Sequence, residues 1–398
     1  MKKITNLYFC FLLSQFLFFA APFFYVPLFD NNFSLQSSVI AHFFGLAFFT
    51  LGYFFSVKKI KGTLLVANKM NNNDKIYVFK NPFFVVSYLL MTFGLFVSIL
   101  QVALFKNPLD YIHELLINRE FNVNIRNDFL TESKDGGLSG VLKMFGFAPL
   151  SIYLFSFAIL QFINISSLDK KKWKRLNFVA LIMTIIRTLF SLERITIVAI
   201  LLANLFIFLR FSFLKNSKSA YISLIWILLA LLLAGFISSS RLEGGGITEF
   251  IFLYYKLGLT NLQLVIDTAD GYTYGFSSIF SPLKFIFSFL NFTIDLPSPN
   301  YDWQWNPAQY LIGALYLDFG PFYIFVLFII GKLCRLIDDK ALIEKKIHYV
   351  SIYFIVMYCI FSFAGVPLSN GIDFWFSLIV PIILINRFAK RVAKVETL

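Results

Sequence analysis

The chain has 398 residues, 58% of them hydrophobic and only 14% charged, and its formal net charge is +13. Soluble domains are nearer half apolar and a quarter charged, so a water-soluble globule is excluded and lipid is the expected solvent. Three cysteines without paired spacing and three histidines predict neither a disulfide framework nor a His/Cys metal centre, and no cofactor is expected.

In chain order, Met1-Lys2-Lys3 precedes an apolar run over 7–29. That run exceeds a signal-peptide core, has no clear small-x-small cleavage site and leads directly to a second apolar run. It reads as a retained first helix. A helix needs roughly 20 apolar residues to cross the hydrocarbon core. Runs suited to this fall near 7–29, 35–57, 83–105, 141–164, 176–192, 195–211, 221–239, 308–336, 348–366 and 372–388. The expected fold is therefore an all-α polytopic membrane protein, a single integral membrane domain over 1–398 with about ten transmembrane helices. The fifth and sixth runs meet at Ser191-Leu192-Glu193-Arg194, either as a tight hairpin or as one broken segment.

Most of the 35 Lys and Arg fall in alternate connections on one side. Lys58, Lys59 and Lys61 share one of them, and Lys170, Lys171, Lys172, Lys174 and Arg175 another. Orientation follows the Lys/Arg excess in short loops, so both termini are predicted to be cytoplasmic. The positive charge is spread over several short segments and forms no single face. Contact with anionic membrane lipids accounts for it, and no nucleic-acid partner is expected.

Two predicted outer segments are long, at about 106–140 and about 240–307, the latter between helices 7 and 8. Long loops on one face point to a site there. Within the larger one, 247–266 reads as an interfacial helix, and 274–292, which carries Pro282 and Lys284, as a stretch that dips into the membrane without crossing. No internal repeat of the transporter kind is present.

Charges in apolar segments cost several kcal/mol and call for a reason. Arg187 and Arg194, seven residues apart, share a face if their helix is continuous, and Arg241 follows the seventh run beside Gly244-Gly245-Gly246. A planar guanidinium suits a diphosphate; the competing reading is that these arginines snorkel or pair with Glu193 and Glu243. Acid/base candidates are His113, Asp302 and Asp318, the last followed by Gly320-Pro321. Either Asp318 faces a water-filled cavity, or the helix proper starts only after the proline. Trp303, Trp305 and Tyr255 are candidate stacking platforms for sugar rings, although aromatic residues also gather at membrane interfaces without a ligand. No phosphate-binding loop, dinucleotide fingerprint or serine-hydrolase elbow is present.

The Ser191–Arg194 corner, Arg241 with its glycines followed by LYYKLGLTN, and NPAQYLIGALYLDFGPF leading to Gly331 together resemble the oligosaccharide repeat unit polymerases, the Wzy-type O-antigen polymerase family. The resemblance implies a membrane glycosyltransferase of the bacterial inner membrane, acting at the periplasmic face to build a lipopolysaccharide O-antigen or a capsule. It would move a growing glycan from undecaprenyl diphosphate onto a fresh lipid-linked oligosaccharide. Arg194 and Arg241, supported by Arg187, would hold the diphosphate, and a flippase and a chain-length regulator would be partners. An O-antigen ligase shares this logic, but the family's catalytic His has no counterpart between Arg241 and Trp305. A flippase or other transporter would carry shorter loops and more charge within its bundle.

Overall fold

The computed structural model describes residues 6–23, 35–55, 75–103, 145–191, 194–211, 218–239, 247–276, 278–280, 283, 287, 290, 292, 310–361 and 372–393. The chain is mostly helical. Its long helices are α1 (Leu7–Ala20), α2 (Gln36–Phe55), α3 (Asn81–Ala103), α4 (Ala148–Phe162), α5 (Ser167–Ser191) and α6 (Arg194–Phe211). They continue as α7 (Lys218–Ser239), α8 (Ile247–Thr268), α9 (Leu311–Phe319), α10 (Tyr323–Asp338), α11 (Ile347–Phe361) and α12 (Ile372–Phe388).

A helix lies at each of the ten expected apolar runs, and the eighth run is two helices. Three stretches, Gln36–Phe55, Asn81–Leu100 and Leu311–Ile343, are long and apolar enough to cross a membrane; others, such as Leu7–Phe23 and Ile347–Phe361, are shorter apolar helices. Bulky apolar side chains remain exposed on these helices, among them Leu51, Phe55 and Phe96, and on α7 Ile225, Leu228 and Leu232. Water would penalise such a surface, whereas lipid accepts it.

The buried carboxylate of Asp338 marks one end of the bundle. It accepts the Leu7 backbone N–H at 3.2 Å, the Tyr53 hydroxyl at 2.7 Å and the Tyr353 hydroxyl at 2.7 Å. The start of α1 and the ends of α2 and α10 therefore meet here with the early part of α11. The chain's last described segment lies at the same end. There a two-stranded antiparallel ribbon pairs β1 (Lys75–Phe79) with β2 (Ala389–Ala393), in the register Lys75↔Ala393 to Phe79↔Ala389. This short ribbon accompanies a fold that is otherwise helical, as the all-α expectation has it. It is anchored by the Phe79 N–H on the carboxylate of Asp169, in the first turn of α5, at 3.1 Å.

At the opposite end Tyr323 opens α10, its hydroxyl donating to the Ala41 carbonyl at 2.6 Å. Between these levels α2 and α10 pack closely. A Cβ on Gly52 would overlap the Phe328 carbonyl, and one on Gly331 would overlap the Phe49 carbonyl. Small residues let backbones approach closely where lipid removes any hydrophobic drive between helices, so dispersion carries the association.

The largest departure from expectation is α8. Every residue from Tyr255 to Val265 is buried, and the helix packs against α1, α2 and α9. It is an interior element of the bundle, not a helix laid on the surface. Its apolar faces meet Phe18 and Tyr310, while Gln263 Oε1 accepts the Ser38 N–H of α2 at 3.0 Å.

Candidate functional site

Two clusters occupy the end opposite Asp338. The first surrounds Arg187, three residues before the last residue but one of α5. Helix α5 ends at Ser191 and α6 begins at Arg194. Asn177 of α5 and Asn204 of α6 both donate to Tyr153 of α4, so the two helices run back past the same level and are not one continuous segment. Arg187 and Arg194 consequently do not share a helical face. The reversal brings Arg187 opposite Thr196, to whose hydroxyl its Nη1 donates at 3.3 Å. The guanidinium lies 4.1 Å from the ring centroid of Phe147, just before α4, and Gly146 lies beside it. Arg187 is only 3% exposed. A planar cation held against a ring keeps its fork orientation fixed, the arrangement that suits a phosphate or carboxylate oxygen.

The second cluster fastens the segment after α8 onto the α9–α10 corner. Asp318 is fully buried, and its two carboxylate oxygens accept the hydroxyls of Thr273 and Ser278. Backbone bonds reinforce the latch: the Thr273 N–H donates to the Leu317 carbonyl at 3.0 Å and the Tyr274 N–H to the Asp318 carbonyl at 2.9 Å. Helix α9 stops at Phe319 because Gly320 adopts a positive φ of 54°, a conformation that side chains disfavour, and Pro321 follows. The Tyr272 ring covers Gly320 so closely that a Cβ there would strike it. The helix therefore restarts after the proline, and Asp318 faces packed protein. Its geometry suits an anchor better than a general base, which needs access to its substrate.

Tyr255 is also removed from the expected glycan surface. It has no exposed area; its ring stacks on Tyr310 at 5.9 Å and meets Phe18 edge-on at 4.7 Å. It belongs to the core because α8 does. His113, Arg241, Asp302, Trp303 and Trp305 lie outside the described residues, as does the side chain of Arg194, although its backbone opens α6.

Sequence reasoning passed over two polar features of the interior. His42 Nδ1 and Gln15 Oε1 form a buried 2.8 Å hydrogen bond between α1 and α2; each was visible as a polar residue in an apolar run. Lys256 is 7% exposed within α8. The rule that singles out Arg187 applies equally to it, but on an interfacial helix a lysine is ordinary. Among the described residues, no group of three or more His, Cys, Asp and Glu is placed to hold a metal ion.

The described cations are sorted by position. Lys170, Lys171, Lys172, Arg210, Arg335 and Lys346 are among those at the Asp338 end, while Arg187 stands at the other and Lys256 lies between. In comparisons with known proteins, no family model, no curated protein and no solved structure matches this chain.

Proposed function

We propose that this chain is a polymerase of lipid-linked oligosaccharide repeat units, spanning a bacterial inner membrane about ten times with the Asp338 end in the cytoplasm. The observation that carries the reading is Arg187, a guanidinium buried at the end of the bundle away from most of the described cations. The positive-inside rule disfavours arginine at an outer end, and burial there costs several kcal/mol. Service to an anionic substrate would repay both.

In this reading the long segment 106–140 and the parts of 240–307 that flank the interior helix α8 form the outer face, where the glycan is handled. The growing chain leaves its undecaprenyl diphosphate, and the acceptor hydroxyl of a fresh unit attacks the sugar carbon as the bond to the diphosphate breaks. Arg187, Arg194 and Arg241 stabilise the charge that develops on the departing diphosphate, a contribution that is usually large. The acceptor proton passes to a base; with Asp318 engaged as an anchor, His113 and Asp302 are the candidates. Trp303 and Trp305 remain the proposed sugar platforms, without Tyr255. A flippase supplying units and a chain-length regulator are the proposed partners.

The test is incubation of the purified protein with the lipid-linked repeat unit of its own strain, with products followed on a gel. A ladder of lengthening glycans, lost in Arg194→Ala and Arg241→Ala, is expected. Absence of a ladder from folded protein and authentic substrate would refute the polymerase reading.

A further inference from the structure

Lys256, Thr260, Gln263 and Asp267 recur on α8 at i, i+4, i+7 and i+11, which places them on one face of the helix. Thr260 and Gln263 are as buried as Lys256, at 2% and 5% exposure, whereas Asp267 is exposed. The stripe thus connects the interior to the surface over about 16 Å of helix. Its middle is fixed: Gln263 accepts the Ser38 N–H at 3.0 Å and donates to both Asp267 oxygens at 3.0 and 2.9 Å. Asp267 is thereby turned toward Gln263, about three helical turns from Lys256.

The inner end of the stripe lacks such compensation. The ion pairs among the described residues join Arg335 to Asp339 and Lys340 and Lys346 to Glu344; none involves Lys256. The Thr260 hydroxyl donates to the Lys256 backbone carbonyl at 2.9 Å, not to its side chain, and among the described residues no carboxylate is paired with the ammonium. A buried charge without a counter-ion destabilises the fold that holds it. Removing it should therefore not weaken the empty protein, unless the ammonium has a structural role.

We propose that Lys256 is a binding residue for a diphosphate oxygen. The inference rests on the lipid-diphosphate reading given above and adds a residue to it.

The full chain in nanodiscs of uncharged phosphatidylcholine is titrated with farnesyl diphosphate and, separately, with inorganic pyrophosphate. Farnesyl diphosphate should raise the thermal midpoint. In Lys256→Met the ligand-free midpoint should stay the same or rise while affinity falls at least tenfold; Lys256→Arg should bind within a few-fold of the unmodified chain. An equal response to pyrophosphate assigns recognition to the anion alone, and a response that needs the prenyl tail assigns it to a lipid; both support the site. A Lys256→Met chain that fails to fold or melts several degrees lower shows a structural ammonium and overturns the proposal. Undiminished binding by that variant, or no binding by the unmodified chain, overturns it too. Because the readout is binding, Lys256-dependent affinity in a protein that makes no glycan ladder would sink the polymerase reading and leave this one standing.

Discussion

Tyr53 and Asp338, on different helices and 285 positions apart, are joined by a 2.7 Å hydrogen bond inside the bundle. The same carboxylate takes the Tyr353 hydroxyl and the first N–H of α1, so one side chain ties four helices together. Hydrogen bonds to a buried charge contribute about 1.5–3 kcal/mol each. Tyr53→Phe should cost an amount in that range and Asp338→Ala clearly more, both read as thermal midpoints in detergent. An Asp338→Ala chain as stable as the original would show that the hub is dispensable.

Gly52 and Gly331 set how closely α2 and α10 approach. Leucine at either position must push the two backbones apart, and overpacking of this kind costs typically about 1–3 kcal/mol. Leu51→Ala, on the exposed side of α2, is the control and should change the midpoint little. Equal effects at positions 51 and 52 would contradict the packing described.

Arg187→Ala should reduce glycan polymerisation by about 10²–10³-fold, the usual loss when one preorganised donor to a developing anion is removed. Arg187→Lys keeps the charge without the fork and should fall between. Initial rates with the lipid-linked substrate, measured beside thermal midpoints, separate this from a folding defect. Full activity in Arg187→Ala would remove this residue from the site.

Asp318 is assigned as an anchor, and the assignment can be told apart from a base. Thr273→Val combined with Ser278→Ala should loosen the 272–280 turn as much as Asp318→Asn does, seen as faster limited proteolysis. If Asp318→Asn instead leaves the turn protected and abolishes turnover, the carboxylate is acting on substrate.

Glu344, beyond the end of the α10 region, offers a pH signature. Burial raises its carboxyl, but the hydrogen bonds from the Lys340 and Lys346 ammoniums outweigh that, and its pKa is lowered from 4.5. A depressed carboxyl stabilises the fold above its ordinary value, and this contribution disappears as pH falls through the depressed one. The midpoint difference between the unmodified chain and Glu344→Gln should be small at neutral pH, since the pair is partly exposed, and should vanish on acidification. A difference that persists in strong acid would have another cause.

The sequence alone located the apolar segments, because a membrane crossing demands a continuous run of side chains whose length is set by the hydrocarbon core. It also grouped the lysines and arginines by connection, since charge is tolerated where the chain returns to water, and the arginine in TIIRTLF stood out against its surroundings. The polar positions scattered along 247–266 fit the wet side of a surface helix as well as a stripe turned into a protein interior. The interior position of α8, and with it the burial of Tyr255 and Lys256, was therefore decided by packing against α1, α2 and α9. Two partners of Asp338, Leu7 and Tyr53, and the pairing of Lys75 with Ala393 were hidden for a related reason: they join positions hundreds of residues apart, and a pattern read along the chain records spacing but not which distant segment arrives beside it.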